Sequence, residues 1–160
     1  MIEKLKQNTR RYNKLKNFND TLSNLVEIKT SNIRGADKGA FAKTLIKKGL
    51  KIGEYDGKIL GVDEYEKLKD KSYIFEVCKK YRGKYYLFYI DAKYGNLLKY
   101  VNGAHCGEQK KRVNIESYQY AERIFFRAIR DIIFGEELLI DYGDNYWEIW
   151  STEQKYSRLK

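Results

Sequence analysis

A mainly β domain (α+β by strict class) with little helix is the fold class this sequence predicts, and three observations predict it. From Val26 onward, short runs rich in Val, Ile, Tyr and Phe alternate with glycine-bearing turns. Helical spacing of apolar residues is confined to the first 25 positions and one short charged segment. The 160 residues show no repeat, no low-complexity stretch and no second domain, and suit one domain with its own core.

The elements follow in order. Over residues 1–25, Ile2, Leu5, Tyr12, Leu15, Leu22 and Leu25 recur at helical spacings with charges between them, and Asp20-Thr21 and Ser23-Asn24 offer a break or cap. This reads as a basic helical extension packed on the domain; a basic arm for chromatin or nucleic acid is the other reading. Strands are expected at 26–29, 40–42, 51–55 and 58–62. The charged segment 63–71, with Tyr65 and Leu68 on one side, reads as a single helix or surface excursion. Further strands are expected at 73–77, 85–91, 123–129 and 138–142. The expected boundaries are therefore 1–25 for the extension, 26–147 for the domain and 148–160 for a tail or short helix.

Composition narrows the function classes. Two cysteines, Cys78 and Cys106, with one histidine, His105, point to a reducing, intracellular setting and are too few for a four-ligand structural zinc site. No apolar run reaches the length of a membrane span, and the N-terminus lacks the apolar core of a signal peptide, so a soluble protein without membrane contact is expected. The net charge of +10 is uneven. Residues 1–60 carry +8 (14 basic, 6 acidic), residues 61–130 carry +6 (15 and 9), and residues 131–160 carry −4 (3 and 7). A uniformly basic skin favours nucleic acid. Here Asp131, Glu136, Glu137, Asp141, Asp144 and Glu148 make an acidic region that a basic peptide would favour, with nucleic-acid contact secondary.

Four segments stand out. Arg34-Gly35-Ala36-Asp37-Lys38-Gly39-Ala40-Phe41-Ala42 is a glycine-bearing turn entering a small-residue strand, suited to close backbone approach by a ligand or to a plain hairpin. Ile52-Gly53-Glu54-Tyr55-Asp56-Gly57 puts a tyrosine between a strand and a tight turn, one of fifteen in the chain. The stretch from Asp91 to Asn102 is a turn followed by an apolar run, Leu97-Leu98-Lys99-Tyr100-Val101, that stops at an asparagine able to cap or turn the chain. His105 has no evident serine or cysteine partner, which argues against hydrolase chemistry. Finally Arg130-Asp131-Ile132-Ile133-Phe134-Gly135-Glu136-Glu137-Leu138 runs into a Tyr142-Gly143 corner followed by Tyr146 and Trp147.

Together, in this order and spacing, the four segments resemble the SET-domain protein lysine methyltransferases over roughly residues 26–147. Asp37-Lys38-Gly39-Ala40-Phe41-Ala42 matches the family's Gly-x-Gly-(Leu/Val)-Phe-Ala, with Asp37 in place of the first glycine. Lys47-Lys48-Gly49 and Ile52 to Gly57 match the next motif, Asp91 to Asn102 the third, and Arg130 to Gly143 the last. The usual Asn-His-Ser-Cys is Asn102-Gly103-Ala104-His105-Cys106 here, which is similar to the divergent PR subgroup; the Tyr142–Trp147 ending is similar to that subgroup and to small viral SET proteins. Residues 148–160 hold no cysteine, so Tyr146, Trp147 and Trp150 are the residues available to close the site.

The resemblance implies a fold of several small sheets with a knot-like C-terminal crossing. It implies methyl transfer from S-adenosylmethionine to the side-chain amine of a protein lysine, on a basic histone tail, and hence a nuclear location. Tyr142 and Tyr55 would be the catalytic and channel tyrosines. Lys38, Gly39, Phe41, Asn102, Gly103 and Trp147 would bind the cofactor, and Ile140, Tyr100 and Tyr146 would line the substrate channel. A branched aliphatic at Ile140 leans toward room for more than one methyl. The missing histidine and first glycine keep a second reading open, a catalytically weak PR-type module that binds protein or chromatin.

Overall fold

The computed structural model describes residues 21–104 and 107–143, in which three small sheets enclose one core. Strands β1 (Val26–Thr30) and β2 (Lys38–Ala42) form an antiparallel pair. In β2 the alanines Ala40 and Ala42 are fully buried and let another segment lie against them. That segment is 135–138: Gly135 N–H donates to Ala42 O, Ala42 N–H to Glu136 O and Leu138 N–H to Ala40 O, at 2.8–2.9 Å.

The second sheet has the order β3-β9-β8-β10-β7. Its members are β3 (Lys51–Glu54), β7 (Asn102–Gly103), β8 (Ile115–Tyr120), β9 (Arg123–Ala128) and β10 (Leu139–Ile140). Strands β3, β9 and β8 run as antiparallel neighbours. Strand β10 then inserts parallel between β8 and β7, two strands made earlier in the chain. This is the C-terminal crossing that the resemblance implies. The third sheet, β4-β6-β5, comprises β4 (Lys58–Leu60), β5 (Ile74–Tyr81) and β6 (Lys84–Asp91). Among the described residues, helix is limited to residues 21–25, the turns Val62–Glu66 and Gly107–Lys110, and a 3₁₀ turn at Leu97–Tyr100. No helix among the described residues is long and apolar enough to cross a membrane.

The core joins Val26, Ile46, Leu98, Ile115, Phe126, Ile132, Leu138 and Ile140, drawn from the two-stranded and five-stranded sheets and the loops between them. Full burial of such side chains contributes about 1.5–3 kcal/mol each. Leu22, from the helical stretch at 21–25, is buried in the same core.

Three local expectations change. The strand expected at 138–142 is only Leu139–Ile140, because Asp141 Oδ1 accepts from Gly143 N–H (2.9 Å) and turns the chain out of the sheet. The strand expected at 73–77 continues through Lys79 and Lys80 to Tyr81, since β6 pairs along its whole length. Strand β8 carries only a weak sequence signal and is not among the expected strands. Its hairpin with β9 turns at Ala121 (φ 55°) rather than at the glycine or asparagine that usually marks such a turn.

Candidate active site

The short parallel pairing of β7 with β10 brings together segments 37 residues apart in register, Asn102 opposite Leu139 and Gly103 opposite Ile140. Tyr142 leaves the end of β10 and donates its hydroxyl to the Val101 carbonyl at 2.9 Å. The phenol therefore sits beside the Val101-Asn102-Gly103 backbone, half-buried against the core.

Asn102 connects this corner to β2. Its amide nitrogen lies 2.8 Å from the Lys38 carbonyl, 3.0 Å from Ser31 Oγ and 3.2 Å from Glu137 Oε1. A carbonyl and a carboxylate can only accept, so the nitrogen must face them and the amide oxygen must face the other way. Asn102 Oδ1 is thus aimed away from the protein contacts its own nitrogen makes.

Glu137 is the group that holds this arrangement. It is 4% exposed, and its carboxylate accepts from Ser31 Oγ (2.6 Å), Asn32 N–H (2.8 Å) and the Asn102 amide. Gly39 makes room for it: a Cβ there would collide with Glu137 Oε1 and press on the Phe41 ring at 3.1 Å. Phe41 itself is buried and bridges Glu137 through the backbone. Lys38, Gly39, Phe41, Asn102, Gly103, Ile140 and Tyr142 therefore form one neighbourhood.

Below it, Asn114 (1% exposed) grips the backbone of the C-terminal segment. Its Nδ2 donates to Glu137 O (2.8 Å) and its Oδ1 accepts from Leu139 N–H (2.9 Å). Neither Glu137 nor Asn114 was anticipated in these roles. The available signal was a polar residue placed against an apolar run, Asn114 before Ile115 and Glu137 before Leu138-Leu139-Ile140.

Tyr55 approaches from the other edge of the sheet. It continues β3, with its N–H on Ile124 O, and its hydroxyl donates to Tyr73 O at 3.0 Å. Its ring lies 5.5 Å from both Phe75 and Phe126. The Leu97–Tyr100 turn is tied to both edges, through Asn96 Nδ2 on Glu54 O (2.7 Å) and through Val101 O under Tyr142. Tyr100 has the Lys38 and Lys99 ammonium groups 5.8 and 5.2 Å from its ring centre, and lines a cavity of about 410 Å³ with Leu22, Asn96 and Leu97. That cavity does not include Tyr142 or Ile140. Ile140 is fully buried between Gly103 and Ile115. His105, Cys106, Asp144, Tyr146, Trp147, Glu148 and Trp150 lie outside the described residues.

The acidic surface expected at 131–148 is corrected in part. Glu137 is internal. Asp131 is paired with Lys47 and Asp141 with Lys110. Glu136 takes a two-pronged hydrogen bond from Arg130 (2.8 and 3.1 Å) and one from Ile133 N–H, folding the loop that delivers Glu137. These residues serve the fold rather than present free charge.

The Arg130 hydrogen bonds hold the Glu136 carboxyl below the ordinary glutamate value of 4.5. A lowered folded-state value adds stability above the unfolded value, and that stability is lost as pH falls through the folded one. Glu136→Gln should therefore lower Tm near neutrality and narrow the gap from wild type as pH drops below about 4.5, in thermal melts across pH. A constant gap at every pH would contradict this.

The family model described as "PR domain zinc finger protein 2, PR domain" matches residues 26–153. This chain belongs to the PR-type SET-domain family. The PR/SET domain is 31% identical over 109 residues to mouse PR domain zinc finger protein 14, covering 68% of this chain and 18% of that protein. It is 35% identical over 117 residues to mouse histone-lysine N-methyltransferase MECOM, covering 71% of this chain and 9% of that protein. The chain thus spans less than a fifth of these two relatives. Among solved structures, the methyltransferase domain of human PR domain-containing protein 2 superposes with a TM-score of 0.61 at 27% identity, covering 76% of this chain and 78% of that one. ATXR5 in complex with mono-methylated histone H3.1 gives 0.60 at 25% identity, covering 72% and 56%. The small sheets and few helices of the PR/SET fold are what the structure displays.

Proposed function

We infer that this PR/SET domain transfers a methyl group from S-adenosylmethionine to the side-chain amine of a protein lysine, with a histone tail as substrate and the nucleus as its place of action. The observation that carries the reading is the meeting of Tyr142 with Val101-Asn102-Gly103, because a methyl donor and an amine must be aligned by groups from both segments. The histone assignment draws on MECOM and on the ATXR5–histone H3.1 complex.

The residues present fit the cofactor. Asn102 commits its amide nitrogen to the protein, so its carbonyl oxygen is oriented to accept from an ammonium group such as the cofactor's. Lys38, Gly39 and Gly103 would offer backbone groups beside it, and Trp147 a stacking surface. When bound, S-adenosylmethionine supplies a sulfonium-activated methyl for in-line displacement by the lysine amine.

The chain's own contribution is alignment and desolvation. A lysine with a solution pKa near 10.4 must arrive neutral, which an apolar, water-poor channel favours by disfavouring the ammonium. Tyr142, with its proton directed to Val101 O, would present oxygen lone pairs toward the reacting methyl and amine. Tyr55, fixed by Tyr73 O and two phenylalanines, would wall the channel.

Calorimetry with S-adenosylmethionine, followed by mass spectrometry of core histones incubated with protein and labelled cofactor, tests the reading. Cofactor binding with label on histone lysines is expected. Binding without transfer would favour the weak-module reading, which Asp37 in the first glycine position and the Gly103-Ala104 departure motivate. Neither binding nor transfer would end both enzymatic versions.

A further inference from the structure

The β5–β6 hairpin is unused by the site described above, and its outer end has an unusual surface. Residues 79–86 read Lys-Lys-Tyr-Arg-Gly-Lys-Tyr-Tyr, with four cations and no acid. Lys79 pairs with Glu122. Among the described residues Lys80, Arg82 and Lys84 have no acidic partner. Tyr81 and Tyr86 are 50% and 49% exposed, and Tyr85 more so.

Strand register sorts these side chains. Tyr81 pairs with Lys84 and Lys79 with Tyr86, and residues two apart share a face, so Lys79, Tyr81, Lys84 and Tyr86 all lie on one side. The two rings are diagonal neighbours, about 7–8 Å apart at the backbone, with a lysine beside each. The turn residue Arg82 holds positive φ (49°), where glycine or asparagine is easier, and keeps its guanidinium 5.3 Å from the Tyr81 ring. Its exposed guanidinium thus stands at the hairpin tip beside a half-exposed ring. The hairpin is also braced: Gln119 Nε2 donates to Cys78 O (2.7 Å), and Lys79 meets Glu122 from the neighbouring β8–β9 hairpin. The tyrosines are therefore presented on a supported platform.

We propose that this hairpin face binds single-stranded nucleic acid, Tyr81 and Tyr86 stacking on successive bases while Lys84 on the same face and Arg82 at the tip neutralise phosphates. Alternating rings and unpaired cations are what such strands require, since every base has a π-face and every nucleotide a negative charge. An acidic peptide would use the cations and leave the rings idle. A duplex has its base faces already stacked, so it too would engage only the charges. The chain's net charge of +10 adds long-range attraction.

Fluorescence anisotropy on the full chain tests this, with a labelled 12-mer single strand of mixed sequence, the matching duplex, and vesicles containing phosphatidylserine. The single strand should bind at least about tenfold tighter than the duplex. The double variant Tyr81→Ala with Tyr86→Ala should weaken single-strand binding at least about tenfold with an unchanged salt slope, because stacking is lost and charge is not. Tyr81→Phe with Tyr86→Phe should retain it. Lys84→Gln should lower the salt slope by about 0.7. Far-ultraviolet circular dichroism and Tm confirm that each variant is folded. Equal affinity for duplex, preference for vesicles, alanine variants that bind as wild type, or no binding at about 100 µM would each overturn the proposal. None of these measurements uses the cofactor or methyl transfer, so the outcome stands apart from the proposed activity.

Discussion

Tyr142→Phe is expected to lower the rate of methyl transfer about 100-fold or more while leaving cofactor affinity within about threefold of wild type. A factor of 100 corresponds to about 2.7 kcal/mol of lost transition-state stabilisation. Direct CH···O contacts to the methyl contribute only about 0.5–1 kcal/mol each, so most of the loss must come from misalignment. The Tyr142 hydroxyl is bonded to Val101 O at 2.9 Å, which fixes the phenol against the backbone just before Asn102. Without the hydroxyl the ring keeps its packing against the core and loses that tether and its oxygen lone pairs. Folding should change little, by about 1 kcal/mol for one hydrogen bond. Single-turnover kinetics with saturating cofactor, run beside calorimetry, separates the two quantities. Unchanged turnover removes Tyr142 from its role. A parallel collapse of cofactor binding would instead make it a structural prop of the cofactor cleft.

Much of this arrangement was written in local chemistry. Glycine-bearing turns, the small-residue strand around Ala40 and the ordered motifs at Tyr55, Asn102 and Tyr142 all depend on residues near one another in the chain. They announce strands, turns and family. What local chemistry does not announce is who sits beside whom. The sequence Ile115-Glu116-Ser117-Tyr118-Gln119-Tyr120 gives a weak strand signal, and the turn after it lacks a glycine, so β8 becomes evident only through its pairing with β9. The same holds for Glu137. In one dimension it is one of several acids in an acidic stretch. In three it is the buried acceptor for Ser31, Asn32 and Asn102, groups from two other segments. A glycine at position 39 is explicable as a ligand-approach residue from sequence, yet the space it leaves is filled by Glu137. Burial of a charged group is a property of its partners, and the partners are distant in the chain.

The largest effect on stability should come from Asn114, a residue that touches no reactant. Strand β10 is two residues long, too short to satisfy its own flanking backbone through a ladder. Asn114 supplies the missing partners: its side chain donates to Glu137 O and accepts from Leu139 N–H, and its own N–H donates to Leu139 O at 3.1 Å. Asn114→Leu keeps the branched shape and removes both side-chain hydrogen bonds, leaving a buried carbonyl and a buried N–H unpaired. At roughly 1–3 kcal/mol for each of the two orphaned groups, the expected loss is about 2–6 kcal/mol. For a domain of this size that lowers Tm by about 4–24 °C. The loss is not confined to melting, since the crossing carries Glu137, Ile140 and Tyr142, and its loosening should cut methyl transfer as well. Asn114→Asp separates hydrogen bonding from packing. Its carboxylate cannot donate to Glu137 O and would face that carbonyl in a buried site, whereas the neutral acid can donate. Burial raises the folded-state value of such a group, so the stability of Asn114→Asp should recover as pH falls and be lost as pH rises through that value. A leucine variant melting within about 2 °C of wild type, or an aspartate variant indifferent to pH, would show that β10 holds its place without the asparagine clamp.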